Sequence, residues 1–178
     1  MNIIDYLSDE WSKSGLKVGD IVLIHSRLSP SIRKLKKEGF NPTIADFYES
    51  FSNAVGKEGT LIFPLFNFDF AKNKFFNINS TPSKMGALSE FARLKEGIIR
   101  TGHPMYSFGI IGAKSNLFQN INNTSGYGKD SPFAMLLKID AKIGILGLPE
   151  QNSMTFYHFV EESRAVKYRY FKKFLYFV

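Results

Sequence analysis

At 178 residues with 44% apolar and 22% charged positions, the chain has the material for one hydrophobic core, and its composition excludes disorder and collagen. It contains no cysteine, which excludes disulfides, thiolate metal sites and a cysteine acyl-enzyme, so any chemistry falls to His, Ser, Thr, Tyr or carboxylates. The net charge of +7 is local: Arg33, Lys34, Lys36 and Lys37 form one cluster, Arg164, Lys167, Arg169, Lys172 and Lys173 another, and the other 14 basic residues are outnumbered by 16 acids.

The first segment, Ile3 to Leu16, carries apolar residues at Ile3, Ile4, Leu7 and Trp11, near helical spacing, and stops at Gly15. Ile21-Val22-Leu23-Ile24 is a continuous apolar run of strand length, the kind buried on both faces of a sheet. A helix is predicted next, with Asn41 as N-cap, Pro42 at the first helical position, apolar Ile44, Phe47, Phe51 and Val55, and Gly56 past its end. Thr60 to Phe63 follows as a strand. Residues 64–82 are rich in Phe and Asn without a period, which predicts a long ordered loop. Met85 to Leu94 is predicted helical and Ser107 to Ile111 a strand. Ser131-Pro132 opens a short helix to Lys138, Ile143 to Leu146 is a second buried-type strand, and Ser153 is predicted to cap a helix ending near Arg164. This alternation predicts an α/β fold with a mostly parallel or mixed sheet covered by helices, in one domain over residues 1–178. No stretch approaches the roughly 20 apolar residues of a membrane span, and Asp5, Asp9 and Glu10 are foreign to an export signal, so a cytoplasmic location is expected.

Three histidines exist, and each sits where ligands approach. His25 closes the first apolar strand and is followed by Ser26 and Arg27, at the carboxyl end where α/β sheets bind ligands; the plainer role is a buried imidazole satisfying loop backbone. His158 and Glu161 stand three apart on the last predicted helix, on one face, so a carboxylate can fix the ring's tautomer as a general base requires; such pairs are also common on solvent-facing helices. A zinc site would need three or four ligands, no H-E-x-x-H occurs, and no metal is expected. Nucleophile elbows of the G-x-S-x-G type and Gly-rich phosphate loops are absent. The two basic patches suit a nucleotide phosphate as well as a nucleic-acid backbone, and only Tyr168 to Phe177 alternates aromatics with bases as a single-strand platform would.

Seven segments in order carry a family resemblance: residues 19–28 (GDIVLIHSRL), 56–64 (GKEGTLIFP), 81–86 (TPSKMG), 100–107 (RTGHPMYS), 130–133 (DSPF), 140–147 (DAKIGILG) and 155–161 (TFYHFVE). Together they resemble the aminoglycoside 3-N-acetyltransferase family, also called the antibiotic N-acetyltransferases. The resemblance implies a three-layer α/β/α sandwich unlike the usual GNAT acetyltransferases. It also implies acetyl transfer from acetyl-coenzyme A to an amine of an amino sugar, with His158 as base and Glu161 as its partner. His25, Ser26, Arg27 and Leu28, with Ser83, Lys84, Met85 and Gly86, are implied to lie along the coenzyme, and Ser107 to belong to the same wall. His103 is expected to be structural. With no cysteine available, the expectation is direct transfer in a ternary complex, the oxyanion being held by N–H groups near Ser26 to Leu28 or by the Ser107 hydroxyl. Arg27 stands where the family usually has serine, and Tyr106 where it often has histidine. Relatives continue past the segment matching Val166 to Arg169, so a domain lacking the family's C-terminal part is expected, with an apolar tail buried on its own domain or in a homodimer. The alternatives are a truncated, inactive coenzyme-A-binding relative and a basic module binding nucleic acid or another polyanion. The partners expected are coenzyme A and a small amine acceptor, with no membrane.

Overall fold

The computed structural model describes residues 2–174. Its elements are α1 (Ile3–Lys13), β1 (Ile21–Ser26), α2 (Leu28–Lys37), α3 (Ile44–Val55), β2 (Thr60–Pro64), α4 (Phe70–Asn73), α5 (Ala87–Arg93), β3 (Ile99–Arg100), β4 (Phe108–Gly112), α6 (Pro132–Lys138), β5 (Lys142–Leu146) and α7 (Phe156–Ser163). Short 3-10 turns add Ser115–Phe118 and Glu150–Asn152. The five strands form one open sheet in the order β3-β4-β2-β1-β5. β1 runs parallel to both β2 and β5, while β4 is antiparallel to β2 and to β3, so the sheet is mixed.

Because side chains alternate across a strand, β1 divides the interior into two cores. Val22 and Ile24, with Leu61 and Phe63 of β2, pack under Leu7 of α1, Phe47, Phe51 and Val55 of α3 and Leu88 of α5. Leu23, with Ile62, Phe108 and Ile110, packs under Phe133 and Leu136 of α6 and Phe159 of α7. Helices therefore cover both faces, and the expected three-layer sandwich is the architecture found. Each fully buried Phe or Leu contributes about 2–3 kcal/mol by leaving water. In the first layer Trp11 stacks on Phe51 at 4.5 Å and donates its indole N–H to the Ser50 hydroxyl, which satisfies the one polar atom of a large apolar ring.

Several elements differ from the sequence expectation, each for a physical reason. α3 starts later than Asn41-Pro42: Thr43 is the N-cap, and its hydroxyl and the Asp46 carboxylate exchange bonds with each other's backbone N–H in a capping box. The basic cluster of Arg33 to Lys37 belongs to a helix, α2, whose inner face buries Leu28 and Leu35. Ile143 to Leu146 is not a buried strand. β5 is the sheet edge, paired only with β1, and Ile145 is 40% exposed. Ser153 does not cap α7; it is buried, and its hydroxyl donates to the carbonyls of Pro149 and Glu150. The long loop after β2 contains the one-turn α4 and is anchored by the buried rings of Phe66, Phe70 and Phe76. Of the apolar tail, Leu175 to Val178 lie outside the described residues.

Candidate active site

His25 and Ser26 end β1, and the chain then turns directly into α2 with Arg27 as N-cap residue. His25 shares its face of β1 with Leu23, the face covered by α6 and α7. Both residues are more than nine-tenths buried, yet His25 Nε2 and Ser26 Oγ have no partner within the protein. Burial alone pushes the His25 pKa down to about 4, so the ring is neutral and one ring nitrogen is held ready without a bond. A buried polar atom costs stability unless something satisfies it, so two such atoms on successive residues, one on each face of the carboxyl end of a central strand, mark a place for a polar ligand. The Arg27 N–H is committed to Leu146 O at 2.8 Å, whereas the first-turn N–H groups of α2 have no partner within the helix. Gly147 lets β5 pass this point: its φ is +67°, and a Cβ there would collide with the Arg27 carbonyl.

The segment Ser83 to Gly86 is pinned beside it. The Ser83 N–H donates to Glu90 at 2.7 Å, its hydroxyl donates to Pro64 O and accepts from the Met85 N–H, and Lys84 N–H donates to Phe66 O. The Lys84 ammonium pairs with Asp69 at 3.1 Å. Gly86, at φ +105°, starts α5 so close to β1 that an added Cβ would stand 3.3 Å from the Ser26 carbonyl. Two segments separated by nearly 60 residues of chain thus meet at one strand end. Ser107 lies fully buried at the start of β4, donating to Leu65 O and accepting from Arg100, both at 3.1 Å. His103 is a loop organiser: its Nδ1 accepts from the N–H groups of Met105 and Tyr106, and burial lowers its pKa to about 4.

α7 carries the other candidates. His158 Nδ1 and Glu161 Oε2 are 3.0 Å apart, and the ring is half-exposed. They line a cleft of about 410 Å³ together with Glu150, Gln151, Asn152, Met154, Thr155 and Tyr157. Behind the ring, Tyr127 lies 5.2 Å away and connects it to Tyr106 and Phe133. Burial, and then the hydrogen bond with Tyr106, drives the Tyr127 hydroxyl far above its ordinary pKa, so this wall stays uncharged. Met85 packs on the same core as Phe156 and Phe159 of α7.

Sequence reasoning missed the groups that crowd Glu161. Tyr168 donates to Oε1 at 3.0 Å and the Arg169 guanidinium donates to Oε2. The neighbouring His158 ring first, and Arg169 second, hold the Glu161 carboxyl down to about 2. Arg169 stands eight positions from Glu161, a separation with no helical meaning. The two meet because the chain reverses after α7 through Ala165 at φ +49°, a left-handed turn that a non-glycine side chain does not announce. Glu162, on the next face, is tied to the Ser125 hydroxyl at 2.7 and 2.9 Å and fixes α7 against the loop before α6. Among the described residues, no group of three or more His, Asp or Glu side chains is placed to share a metal ion, and no helix is long and apolar enough to cross a membrane.

A mixed sheet with helices on both faces, a strand end with two unpartnered polar atoms and a His–Glu pair on a helix over one of the two cores define an α/β protein. The family model for aminoglycoside 3-N-acetyltransferases matches residues 23–177, so the chain belongs to that family. It is 26% identical over 178 residues to the SPbeta prophage-derived aminoglycoside N(3')-acetyltransferase-like protein YokD of Bacillus subtilis (strain 168), covering 87% of this chain and 63% of that protein. The crystal structure of YokD superimposes with a TM-score of 0.75 over 89% of this chain and 69% of the other, at 26% identity. The acetyltransferase AAC(3)-Xa gives 0.75 at 24% identity over 89% and 60% of the two chains, and AAC-IIIb in a binary complex with CoASH gives 0.74 at 22% over 89% and 64%. The chain thus spans less than two thirds of the length of the curated relative it matches.

Proposed function

We propose that this chain transfers an acetyl group from acetyl-coenzyme A to an amine of an amino sugar, with His158 as general base and Glu161 as its partner. The observation that carries the reading is the His158–Glu161 pair, 3.0 Å apart inside a cleft on the face reached by the β1 carboxyl end. The coenzyme lies along His25, Ser26, Arg27 and Leu28 and along Ser83, Lys84, Met85 and Gly86. The unpartnered His25 Nε2 and Ser26 Oγ, the close approach of Gly86 and the first turn of α2 fit such a polar, extended ligand. AAC-IIIb, which has the same fold, is described with CoASH bound. Bound there, acetyl-coenzyme A supplies the activated acyl group.

The acceptor amine arrives as an ammonium and must lose a proton before its nitrogen can attack. Glu150 and Glu161 line the cleft and attract that cation, and His158 Nε2 takes its proton when Nδ1 donates to Glu161. With no cysteine in the chain, the transfer is direct. Oxyanion stabilisation falls to the first turn of α2, because the Ser107 hydroxyl already spends its hydrogen on Leu65 O; Ser107 then serves the wall as a rigid support. The preferred acceptor is a glycan- or nucleotide-linked amino sugar over a polycationic aminoglycoside, since the cleft offers two carboxylates and the chain is cationic overall. The protein acts in the cytoplasm.

Titration calorimetry with acetyl-coenzyme A, paired with a thiol-release assay on both acceptor types, tests this. Wild type is expected to bind the donor and release thiol only with acceptor present. His158→Gln is expected to keep donor binding and lose about 10²- to 10⁴-fold in turnover. Donor binding without acceptor-dependent release would identify a coenzyme-binding relative without activity.

A further inference from the structure

Two residues of the cleft wall and Arg169 behind them form a triangle of atoms with only two hydrogen-bonding solutions. Arg169 Nη1 is 2.8 Å from His158 Nδ1, Nδ1 is 3.0 Å from Glu161 Oε2, and Arg169 Nη1 donates to that same oxygen. Guanidinium nitrogens only donate and an ionised carboxylate only accepts, so the neutral imidazole must choose. If Nδ1 carries the proton it faces Glu161 correctly but sets one N–H against another at Arg169. If Nδ1 is bare, one Arg169 Nη1 hydrogen goes to Glu161 and the other to the ring, and the ring's proton sits on Nε2. The shorter of the two contacts to Nδ1 is the one to Arg169.

We infer that Arg169 is a positioning residue that holds His158 in the Nε2–H tautomer, and that the segment returning from α7 must lift Arg169 away before His158 can serve as a base. The inference about the tautomer stands on the triangle alone; its consequence for catalysis rests on the function proposed above. Arg169 is built into its place. The chain reverses at Ala165, the Val166 N–H returns to Glu161 O and the Arg169 N–H to Val166 O, and the guanidinium lies over the Tyr127 ring at 5.2 Å. Tyr168 clamps the second Glu161 oxygen from the same segment, so both of its carboxylate oxygens are engaged by residues C-terminal to α7. With Arg169 removed, the Nδ1–H bond to Glu161 is the solution left, and Nε2 opens toward the cleft with its lone pair free.

The test is nitrogen-15 NMR of the histidine rings at about pH 8, where an unperturbed imidazole is neutral, with the His158 signals assigned by their loss in His158→Gln. The full wild-type chain is expected to show a pyrrole-type Nε2 and a pyridine-type Nδ1. Arg169→Met is expected to move the tautomer ratio by about tenfold or more toward Nδ1–H, the loss of one charge-assisted bond. A wild-type ring already in the Nδ1–H form overturns the inference whether or not the variant folds, as does an unchanged ratio in a folded variant. The thiol-release assay separates the two layers. Turnover several-fold higher in Arg169→Met supports both, while a reversed tautomer with unchanged turnover overturns the base assignment of His158 and leaves the tautomer inference standing.

Discussion

The helices that cover the two faces of the sheet are built to different standards. On one, α1, α3 and α5 bring Leu7, Phe47, Phe51, Val55 and Leu88 to full burial, and α3 begins with a complete capping box. On the other, α7 buries only Phe159, leaves Tyr157 and Val160 exposed at 49% and 41%, and starts at Thr155 with no side-chain cap. The buried His25, the half-buried His103 and the exposed His158 all stand on this second side, with none in the first layer. A face that is packed to the limit supplies stability. A helix with one buried side chain beside an open cleft leaves room for ligands and movement.

The sharpest way to break this contrast is to truncate one ring on the packed side. Phe47→Ala removes a fully buried side chain held by both α1 and β2 neighbours, and is expected to cost about 3–5 kcal/mol in denaturant unfolding while leaving donor binding in place. A smaller cost would mean that the first layer can collapse around the cavity.

Acid tests the other face. His25 and His103 have pKa values lowered to about 4 in the fold against an ordinary 6.5, so between these limits the unfolded chain binds more protons than the native one. Stability is therefore fully present above pH 6.5 and is lost as pH falls toward 4. Going from pH 6.5 to 4.5 is expected to remove about 2 kcal/mol per histidine. His25→Gln is expected to flatten the pH dependence of unfolding by its share; an unaltered slope would place the titration elsewhere.

The mildest effect is expected at the helix starts. Thr43→Ala removes the hydroxyl that accepts from the Asp46 N–H, leaving only the backbone half of the capping box, and is expected to destabilise by about 1 kcal/mol. Thr155→Ala removes no cap bond and is expected to stay within about 0.5 kcal/mol in thermal or chemical melts. Equal effects would erase the difference between the two helix starts.

The elements legible in the sequence were those with a local cause. The apolar run before His25, the stop at Gly56 and the Ser131 cap before Pro132 each name an element through propensity and backbone geometry, and each is present. In α2 the charges of Arg33, Lys34, Lys36 and Lys37 mask the helical spacing of Leu28, Ile32 and Leu35 among them. The His158–Glu161 contact was legible because three residues on a helix place two side chains on one face. Arg169 was not, because its partner is reached through a chain reversal.

By itself, then, the sequence determined most of the helices and strands, which faces are apolar, that the chain carries no cysteine, and that an imidazole and a carboxylate share a turn. Tertiary structure decided the strand order, the edge position of β5, the meeting of Ser26 with Gly86 and the return of Arg169 onto Glu161. The reason is one of range. Helical spacing and caps act over three or four residues, whereas these contacts join positions brought together only when the two cores close on the sheet.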